Sequence, residues 1–277
     1  MHYGLNVQIF GDYSDPRLLA DLAYEAEAAS WEGFFIWDHI AWPLQQSVAD
    51  PWVALTAIAL RTERIRLGPM VTPLSRRRPW KLARETVTLD RLSGGRLILG
   101  VGLGYWQQAE FEAFGEAGDP KARAVKLDEG LEVLTGLWSG KPFSYEGTQY
   151  QVKDAHFSPP MQQPRIPVWV AGAWPSKPPF RRAARWDGGF PISQDPFNKP
   201  LTPAEIREVV AYIKEYRTSG TPFEVVYGGQ TSGSDATEDT ATVAPYGEAG
   251  LTWWLESPGQ RPPAEMRERI RQGPPRG

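Results

Sequence analysis

The chain has 277 residues, of which 41% are hydrophobic, and its formal net charge is −3. This length allows one large α/β domain with a substantial core, and the mild negative charge gives no reason to expect nucleic acid as a partner. The absence of cysteine excludes disulfides and thiolate metal sites. No apolar run reaches the roughly 18 residues of a membrane helix, and the first residues do not resemble a signal peptide. We therefore expect a cytoplasmic protein without membrane contact.

Apolar runs and helical periodicities alternate along the chain. Helices are predicted between the runs, and several begin at a capping residue followed by proline, as at Asp119-Pro120 and Thr202-Pro203. Strands that alternate with helices form parallel sheets, and eight strands at this length favour a single closed (β/α)₈ TIM barrel over an open sheet. The predicted strands cover residues 3–10, 33–40, 65–72, 96–104, 166–172, 188–193, 223–229 and 250–256.

Two long connections interrupt this alternation. Residues 105–166, between the fourth and fifth strands, are predicted to be an insertion that contains a helix over 121–138 and a hairpin that turns at Glu146-Gly147. The polar tract 230–248 is predicted to be a mobile connection. Neither has the character of a second core, so residues 1–277 are expected to form one domain.

The active site of such a barrel lies at the carboxyl ends of its strands. The residues predicted there are mostly apolar or aromatic, which suits a planar organic cofactor better than a metal or a hydrolytic site. His39 ends the second strand beside Asp38, where it either caps the strand through hydrogen bonds or lies near a cofactor. Its position at the catalytic end favours the second role. Because no histidines and carboxylates have metal-ligand spacing, no metal is predicted.

The fourth strand ends in three alternating glycines, Gly100, Gly102 and Gly104. They do not match a dinucleotide-binding fingerprint, because they lie at a strand end and lack its spacing. Glycine in a strand accompanies either tight packing against bulky neighbours or the close approach of a ligand to the backbone. The pattern alone favours neither alternative.

Two cationic positions are candidates for holding a phosphate or an acidic coenzyme tail. Arg76-Arg77-Arg78 follows the third strand, but such runs are more often solvated loops, and we favour that interpretation. Lys177 lies just before a predicted helix, whose amino end favours an anion, and is the better candidate.

Six segments of the chain follow one another in the order and spacing of one known family: residues 34–39, 64–73, 79–96, 100–104, 110–115 and 180–188. Through them the chain resembles the bacterial luciferase-like flavin monooxygenase family over nearly its whole length. The resemblance implies a (β/α)₈ barrel that binds FMN or the deazaflavin coenzyme F-420 at the carboxyl end of the strands. It also implies a bulge at the end of the third strand, often with a non-proline cis peptide, which would fall at Met70-Val71.

From this resemblance we expect a flavin-dependent oxidoreductase, acting as a monooxygenase on a small organic substrate with reduced flavin from a separate reductase. The alternatives are a deazaflavin-dependent reductase or dehydrogenase and a non-catalytic flavin-binding homologue. A homodimer is expected. His39 is the expected catalytic residue. The expected cofactor-binding residues are His39, Met70, Val71, Thr72, Gly102, Gly104, Gly172, Ala173 and Lys177, and the expected substrate-binding residues are Trp37, Tyr105, Trp174 and Trp253.

The chain departs from the family pattern at two places. Tyr105 stands where some deazaflavin-dependent dehydrogenases of the family carry a glutamate, and a phenol does not replace a carboxylic acid near neutral pH. Tyr105 therefore argues against the activity of a sugar-phosphate dehydrogenase. The segment Gly172-Ala-Trp-Pro lacks the Gly-Ser-Gly phosphate loop of many relatives, which weakens the prediction of a phosphate site there.

Overall fold

The computed structural model describes residues 1–41, 46–195, 198–259 and 261–276. In this part of the chain, nine parallel strands form one sheet, and two antiparallel strands form a separate hairpin. The strands are β1 (His2–Val7), β2 (Gly33–Ile36), β3 (Arg66–Pro69), β4 (Thr72–Pro73), β5 (Leu99–Gly102), β6 (Phe143–Glu146), β7 (Gln151–Ala155), β8 (Val168–Trp174), β9 (Gly188–Ser193), β10 (Glu224–Gly229) and β11 (Trp253–Glu256).

The nine parallel strands close into a barrel, as the sequence predicts. Their order is β3-β2-β1-β11-β10-β9-β8-β5-β4, and the two ends of this order meet. Leu67 in β3 forms a parallel bridge with Leu97, just before β5, while β4 pairs directly with β5. Because β3 and β4 are the two halves of the predicted third strand, the barrel has eight strand positions.

The third strand is interrupted between β3 and β4. The peptide bond between Met70 and Val71 is cis and does not involve proline. The break lies where the bulge was expected from the resemblance, and it gives β3 and β4 different contacts on β5.

Two glycines allow the third and fourth strand positions to approach closely. A Cβ atom on Gly68 would lie 1.9 Å from the carbonyl oxygen of Ile98, and one on Gly100 would lie 2.3 Å from that of Pro69. Both obstacles are backbone atoms, which cannot rotate away. Tight strand packing is therefore the reason for Gly100.

Gly68→Ala is accordingly expected to destabilise the protein by about 3 kcal/mol or more, because overpacking here must separate two hydrogen-bonded strands. Chemical denaturation followed by circular dichroism measures the loss. Gly220→Ala is the matched control, since its Cβ would meet no atom within 4 Å. Equal stability of the two variants would contradict this account of barrel closure.

The helices begin where the capping residues predict. The side chains of Asp15, Asp50, Asp119 and Thr202 each accept a hydrogen bond from a backbone N–H of the helix that follows, and Thr202 with Glu205 forms a capping box. The helices are α1 (Pro16–Ala28), α2 (Pro51–Arg61), α3 (Pro79–Leu92), α4 (Gln107–Glu110), α5 (Pro120–Trp138), α6 (Pro178–Ala183), α7 (Pro203–Tyr216), α8 (Ala236–Glu248) and α9 (Pro263–Arg271). None in the described ranges is long and apolar enough to cross a bilayer.

The core has two layers separated by the barrel wall. One lies between the strands and the surrounding helices, and the other fills the barrel with side chains that include Phe35, Met70, Trp169 and Leu255. The insertion between β5 and β8 packs on the outside, where the β6–β7 hairpin turns as predicted.

The prediction of a mobile connection over 230–248 was wrong, because most of this tract is helix α8. Asp235 caps the helix, and Asp239 accepts hydrogen bonds from the backbone N–H groups of Ser232 and Gly233. The polar residues that suggested mobility instead satisfy the backbone of the loop and the first turn of the helix.

Candidate functional site

The carboxyl ends of the strands form a shallow mouth with a floor of small residues. Gly102, Ala173 and Gly228 lie on the inner face of β5, β8 and β10, since they continue the alternation of interior residues such as Ala171 and Val226. Val71 and Ile192 pack beside them against the barrel interior. One side of the mouth is therefore lined by residues with small or no side chains, with Val71 packed closely over Gly102.

His39 lies at the edge of this mouth and is held by a carboxylate. Its Nδ1 is 3.3 Å from Oε1 of Glu110, and the two side chains are 14% and 1% exposed. Glu110 comes from α4, which follows β5. The pair therefore joins two neighbouring parts of the rim, far apart in the sequence.

Glu110 also fixes the backbone that follows His39. Its carboxylate accepts hydrogen bonds from the backbone N–H groups of Ile40 and Ala41 and from the guanidinium of Arg76. Burial by itself raises the pKa of Glu110, but the hydrogen bonds from His39 and Ala41, together with the charge of Arg76, outweigh it and lower the pKa. Glu110 is therefore ionised at neutral pH.

Asp38 anchors two arginines below this pair. Its carboxylate accepts hydrogen bonds from Arg76 at 2.9 Å, from Arg77 at 2.8 Å and from the hydroxyl of Thr72 at 2.7 Å. Burial lowers the pKa of Arg77, but the Asp38 carboxylate outweighs it and raises the pKa. The prediction that the arginine run is a solvated loop was wrong for these two residues, whose side chains are 6% and 18% exposed.

Among the described residues, three aromatic rings pack around the imidazole of His39. The ring centroids of Trp106, Phe10 and Trp37 lie 4.7, 5.3 and 5.9 Å from it. Trp106 adopts a left-handed backbone conformation with φ of +44°, which is unfavourable for a bulky residue and is found preferentially at functional sites. The imidazole therefore has an apolar environment on its faces and a carboxylate at one nitrogen.

This arrangement determines what His39 can do chemically. A carboxylate oxygen 3.3 Å from Nδ1 favours the tautomer that carries its proton on Nδ1 and its lone pair on Nε2. A histidine oriented in this way by a carboxylate can take a proton from a bound hydroxyl group and return it. Asp38, Arg76 and Arg77 influence this proton transfer only indirectly. They fix the positions of Glu110 and of the segment that follows His39.

Because the pKa of Glu110 is lowered in the folded protein, we expect its carboxylate to stabilise the fold at neutral pH and to lose this effect in acid. A carboxyl group whose pKa is lower in the folded state stabilises the protein above its ordinary pKa, and this contribution is lost as the pH falls through the folded-state value. We expect Glu110→Gln to be less stable than the wild type at pH 7 and to lose less further stability between about pH 5 and pH 3. Urea denaturation at several pH values measures this difference. The exposed Glu112→Gln is the control, and identical pH dependence in both variants would contradict the prediction.

Gly102 and Gly104, which we expected to bind the cofactor, each pack closely against a side chain of the protein. A Cβ on Gly102 would lie 2.8 Å from Val71, and one on Gly104 would lie 2.6 Å from the ring of Phe111. Gly104 also has a φ of +84°. Phe111 therefore fills the space that we expected a cofactor ring to use beside Gly104, whereas Gly102 faces the mouth at the break in the third strand.

The other residues of this strand end are divided between the mouth and the wall. Met70 packs inside the barrel, and Val71 lies above it at the mouth. Thr72 is fully buried and its hydroxyl binds Asp38. The side chain of Thr72 therefore belongs to the hydrogen-bonded network around Asp38.

The carboxyl end of β8 lies partly outside the mouth. Ala173 is on the inner face, but Gly172 faces α6, where its Cβ would lie 2.2 Å from Pro179. Trp174 was expected to wall the substrate pocket, and this was wrong. It is 4% exposed and packs on the outer layer against Phe180, since its side chain points away from the barrel. The ammonium group of Lys177 lies 3.4 Å from the centre of its ring.

Two further aromatic residues were predicted at the substrate site. Tyr105 lies at the mouth, 58% exposed, with its ring against Trp106. Trp253 was misplaced, because it begins β11 and therefore lies at the opposite, amino end of the barrel. There it contacts His2 and Trp169 and lines a cavity of about 920 Å³.

Sequence reasoning missed Glu110 and misjudged Arg76 and Arg77. Glu110 lies inside a segment that carried the family resemblance, and that was the available signal. A single carboxylate inside a helix of four residues offers no periodic pattern. The structure describes no group of three or more histidine, aspartate or glutamate side chains placed to hold a metal.

The sequence profile of luciferase-like monooxygenases matches residues 2–272. The chain belongs to the luciferase-like monooxygenase family. This confirms the resemblance. Among its relatives, the F-420-dependent glucose-6-phosphate dehydrogenase of Amycolatopsis mediterranei is 31% identical over 176 residues, which are 62% of this chain and 51% of the relative. The chain therefore spans about half of that relative. An uncharacterised protein of Mycobacterium bovis is 30% identical over 226 residues, 74% of each chain.

Solved structures of the luciferase-like family share the fold. A monooxygenase from Streptomyces bottropensis superposes with a TM-score of 0.79 at 20% identity, covering 98% of this chain and 97% of the other. A secondary alcohol dehydrogenase dependent on F-420, in complex with a coenzyme–acetone adduct, gives a TM-score of 0.80 at 16% identity, covering 98% and 96%. These similarities confirm the barrel.

Proposed function

We propose that this luciferase-like protein is an oxidoreductase that binds a reduced flavin or deazaflavin over the mouth of the barrel. The observation that carries the proposal is the pair of His39 and Glu110 at the mouth of the barrel, beside the break between β3 and β4. Relatives and structural neighbours that depend on F-420 support a coenzyme of this type.

The residues of the mouth fit a planar ring system. Ala173 and Gly228 have little or no side chain, and among the described residues a Cβ on Gly228 would meet only Ser257 and a backbone oxygen within 4 Å. Val71 offers an apolar surface beside them. When bound, the coenzyme would supply hydride transfer or oxygen activation, which side chains cannot provide.

The residues of the chain would bind the reactants, exclude water and handle a proton. Phe10, Trp37 and Trp106 exclude water from the faces of His39. Its Nε2, the lone-pair nitrogen when Glu110 holds Nδ1–H, would exchange a proton with the substrate. Acting as a monooxygenase, the protein would receive reduced flavin from a separate reductase.

The second candidate is a deazaflavin-dependent dehydrogenase that does not use oxygen. The pair of His39 and Glu110 favours it, because removal of a hydroxyl proton accompanies hydride loss from an alcohol. Oxygen consumption during turnover distinguishes the two candidates, since only the monooxygenase consumes oxygen in proportion to product.

Coenzyme binding tests the proposal directly. Fluorescence titration and thermal melting of the purified chain with FMN, reduced FMN and the deazaflavin coenzyme are expected to show saturable binding of at least one, with a higher melting temperature. If none of the three changes either signal, the proposal fails.

We further propose a homodimer formed through α2. Val53 and Leu60 are 60% and 69% exposed, and with Thr56 and Ala57 they form a stripe without charges on one side of this helix. A twofold interface places the same surface of two copies together, and an uncharged stripe can face itself without repulsion.

Leu60→Glu is expected to convert the dimer to a monomer, because it places two carboxylates in the interface. Light scattering after size-exclusion chromatography measures the mass. Val125→Glu, at an exposed apolar position on α5, is the control. A wild-type monomer, or a Leu60→Glu dimer, would contradict the assignment of this surface.

A further inference from the structure

A cavity of about 920 Å³ opens at the amino end of the barrel, which faces away from the mouth. Its floor is aromatic, because the indole rings of Trp169 and Trp253 line it near the starts of β8 and β11. Their centroids are 5.4 Å apart, and the two residues are only 1% and 5% exposed. The volume is that of a small-molecule site, and the proposed reaction at the mouth makes no use of it.

Two glycines at the starts of strands allow the indoles to lie across this floor. A Cβ on Gly188 would lie 2.4 Å from Cδ1 of Trp169, and one on Gly33 would lie 2.9 Å from Cζ3 of Trp253. Gly188 of β9 pairs with Trp169 on one side and with Glu224 of β10 on the other. Glu224 is therefore level with the Trp169 indole, and it lines the same cavity.

The imidazole of His2 is stacked on one of these indoles. The ring centroids of His2 and Trp253 are 4.8 Å apart, and their planes are inclined by 28°. Nδ1 of His2 bonds the carboxylate of Glu32, which also pairs with Arg276. Because the His2 side chain is 52% exposed, it can leave the indole without opening the core. The chain itself thus places a planar nitrogen ring between an aromatic face and a carboxylate.

The charges around the cavity favour a cation. Four acidic residues line it: Glu27, Glu32, Asp187 and Glu224. Three of them lie beside an arginine, respectively Arg64, Arg276 and Arg165. Glu224 has no ion-pair partner in the part of the chain that the structure describes, and Arg66, which also lines the cavity, donates to the carbonyl of Gly95. An indole face attracts a cation through its quadrupole, and a carboxylate at its edge adds to that attraction.

We propose that the amino end of the barrel is a second binding site, which takes a planar organic cation with an N–H donor, such as an amidinium or a protonated nitrogen heterocycle. The ligand stacks on Trp253 in place of the His2 imidazole and donates to Glu32. His2 is then an internal competitor that covers the indole when no ligand is bound. The site does not depend on coenzyme binding at the mouth.

Ligand-observed NMR titration of the full chain with benzamidine, benzamide and benzoate tests this site. The three probes have nearly the same shape, but at neutral pH they are a cation, an uncharged molecule and an anion. We expect benzamidine to bind about tenfold more tightly than benzamide, because the indole face and the carboxylates both favour the cation. Benzoate is expected not to displace benzamidine. Equal affinities for benzamidine and benzamide, or displacement by benzoate, would overturn the proposal.

Two variants assign the binding to this cavity. His2→Ala removes the competing ring, so benzamidine is expected to bind about three- to tenfold more tightly than to the wild type. Glu32→Gln keeps the shape and removes the charge, so the preference for benzamidine over benzamide is expected to fall to about twofold or less. His156→Ala and Glu215→Gln, at exposed positions outside the cavity, are the matched controls.

The side chains of His2 and Glu32 are 52% and 34% exposed, so both variants are expected to fold, and thermal melting checks this. If either variant binds benzamidine and benzamide as the wild type does, the aromatic layer only closes the end of the barrel and the proposal is overturned. The titration uses the chain without coenzyme, so its outcome is separate from that of the coenzyme titration, which tests the proposed function.

Discussion

His39→Ala is expected to lower kcat/KM by about 10²- to 10⁴-fold, the usual contribution of a positioned general acid or base. The variant loses the imidazole that Glu110 orients at the mouth of the barrel. Steady-state kinetics measures the change, with the coenzyme identified by titration and, for the dehydrogenase candidate, an alcohol as substrate. Coenzyme affinity, measured separately by fluorescence, shows whether His39 also contacts the coenzyme.

Two variants control this experiment. His156→Ala removes an exposed histidine whose ring bonds only the carbonyl of Gly140, and activity is expected to be unchanged. Glu110→Gln keeps His39 but weakens the preference for one tautomer, so a loss in kcat and a changed pH profile are expected. If His39→Ala retains activity within a factor of about two, His39 only caps its strand.

Asp38→Ala is expected to lower the free energy of unfolding by about 3–5 kcal/mol, the cost of leaving a buried charge without its partner. The carboxylate is fully buried between Arg76 and Arg77, and both guanidinium groups lose an acceptor. Urea denaturation at neutral pH measures the loss. Because Arg76 also binds Glu110, coenzyme binding and activity are expected to fall in this variant as well.

Asp128→Ala provides the matched comparison. Asp128 also lies between two arginines, Arg182 and Arg185, but its side chain is 35% exposed. Its loss is expected to cost about 0–1 kcal/mol, because water screens a surface pair. Asp38→Asn keeps the shape and one acceptor, so its stability should lie between that of the wild type and that of Asp38→Ala. If Asp38→Ala is no less stable than Asp128→Ala, burial does not make the Asp38 network important.

The sequence predicted the barrel and several details of its elements. Capping residues followed by proline placed the starts of α1, α2, α5 and α7, because a cap and the fixed φ of proline act within one turn. Alternating apolar runs located the strands. The family resemblance placed the bulge at Met70-Val71 and His39 at the mouth.

The errors share one physical cause. Arg76 and Arg77 look like surface residues until Asp38 and Glu110 are brought to them from distant segments. Trp174 and Trp253 lie in predicted strands, but whether a side chain faces inward, and at which end of the strand, depends on register. The polar tract containing α8 appeared mobile because its partners, including Asp239, are recognised only when folded.

Local sequence therefore determined which segments form strands and helices, since propensity, capping and periodicity act over a few residues. The tertiary structure alone decided that Glu110 lies beside His39 and that two arginines are buried. Closure of the barrel brings together groups far apart in the sequence, such as the carboxylate of Glu110 and the backbone of Ile40, which are 70 positions apart. Such contacts follow from register and burial rather than from any local pattern.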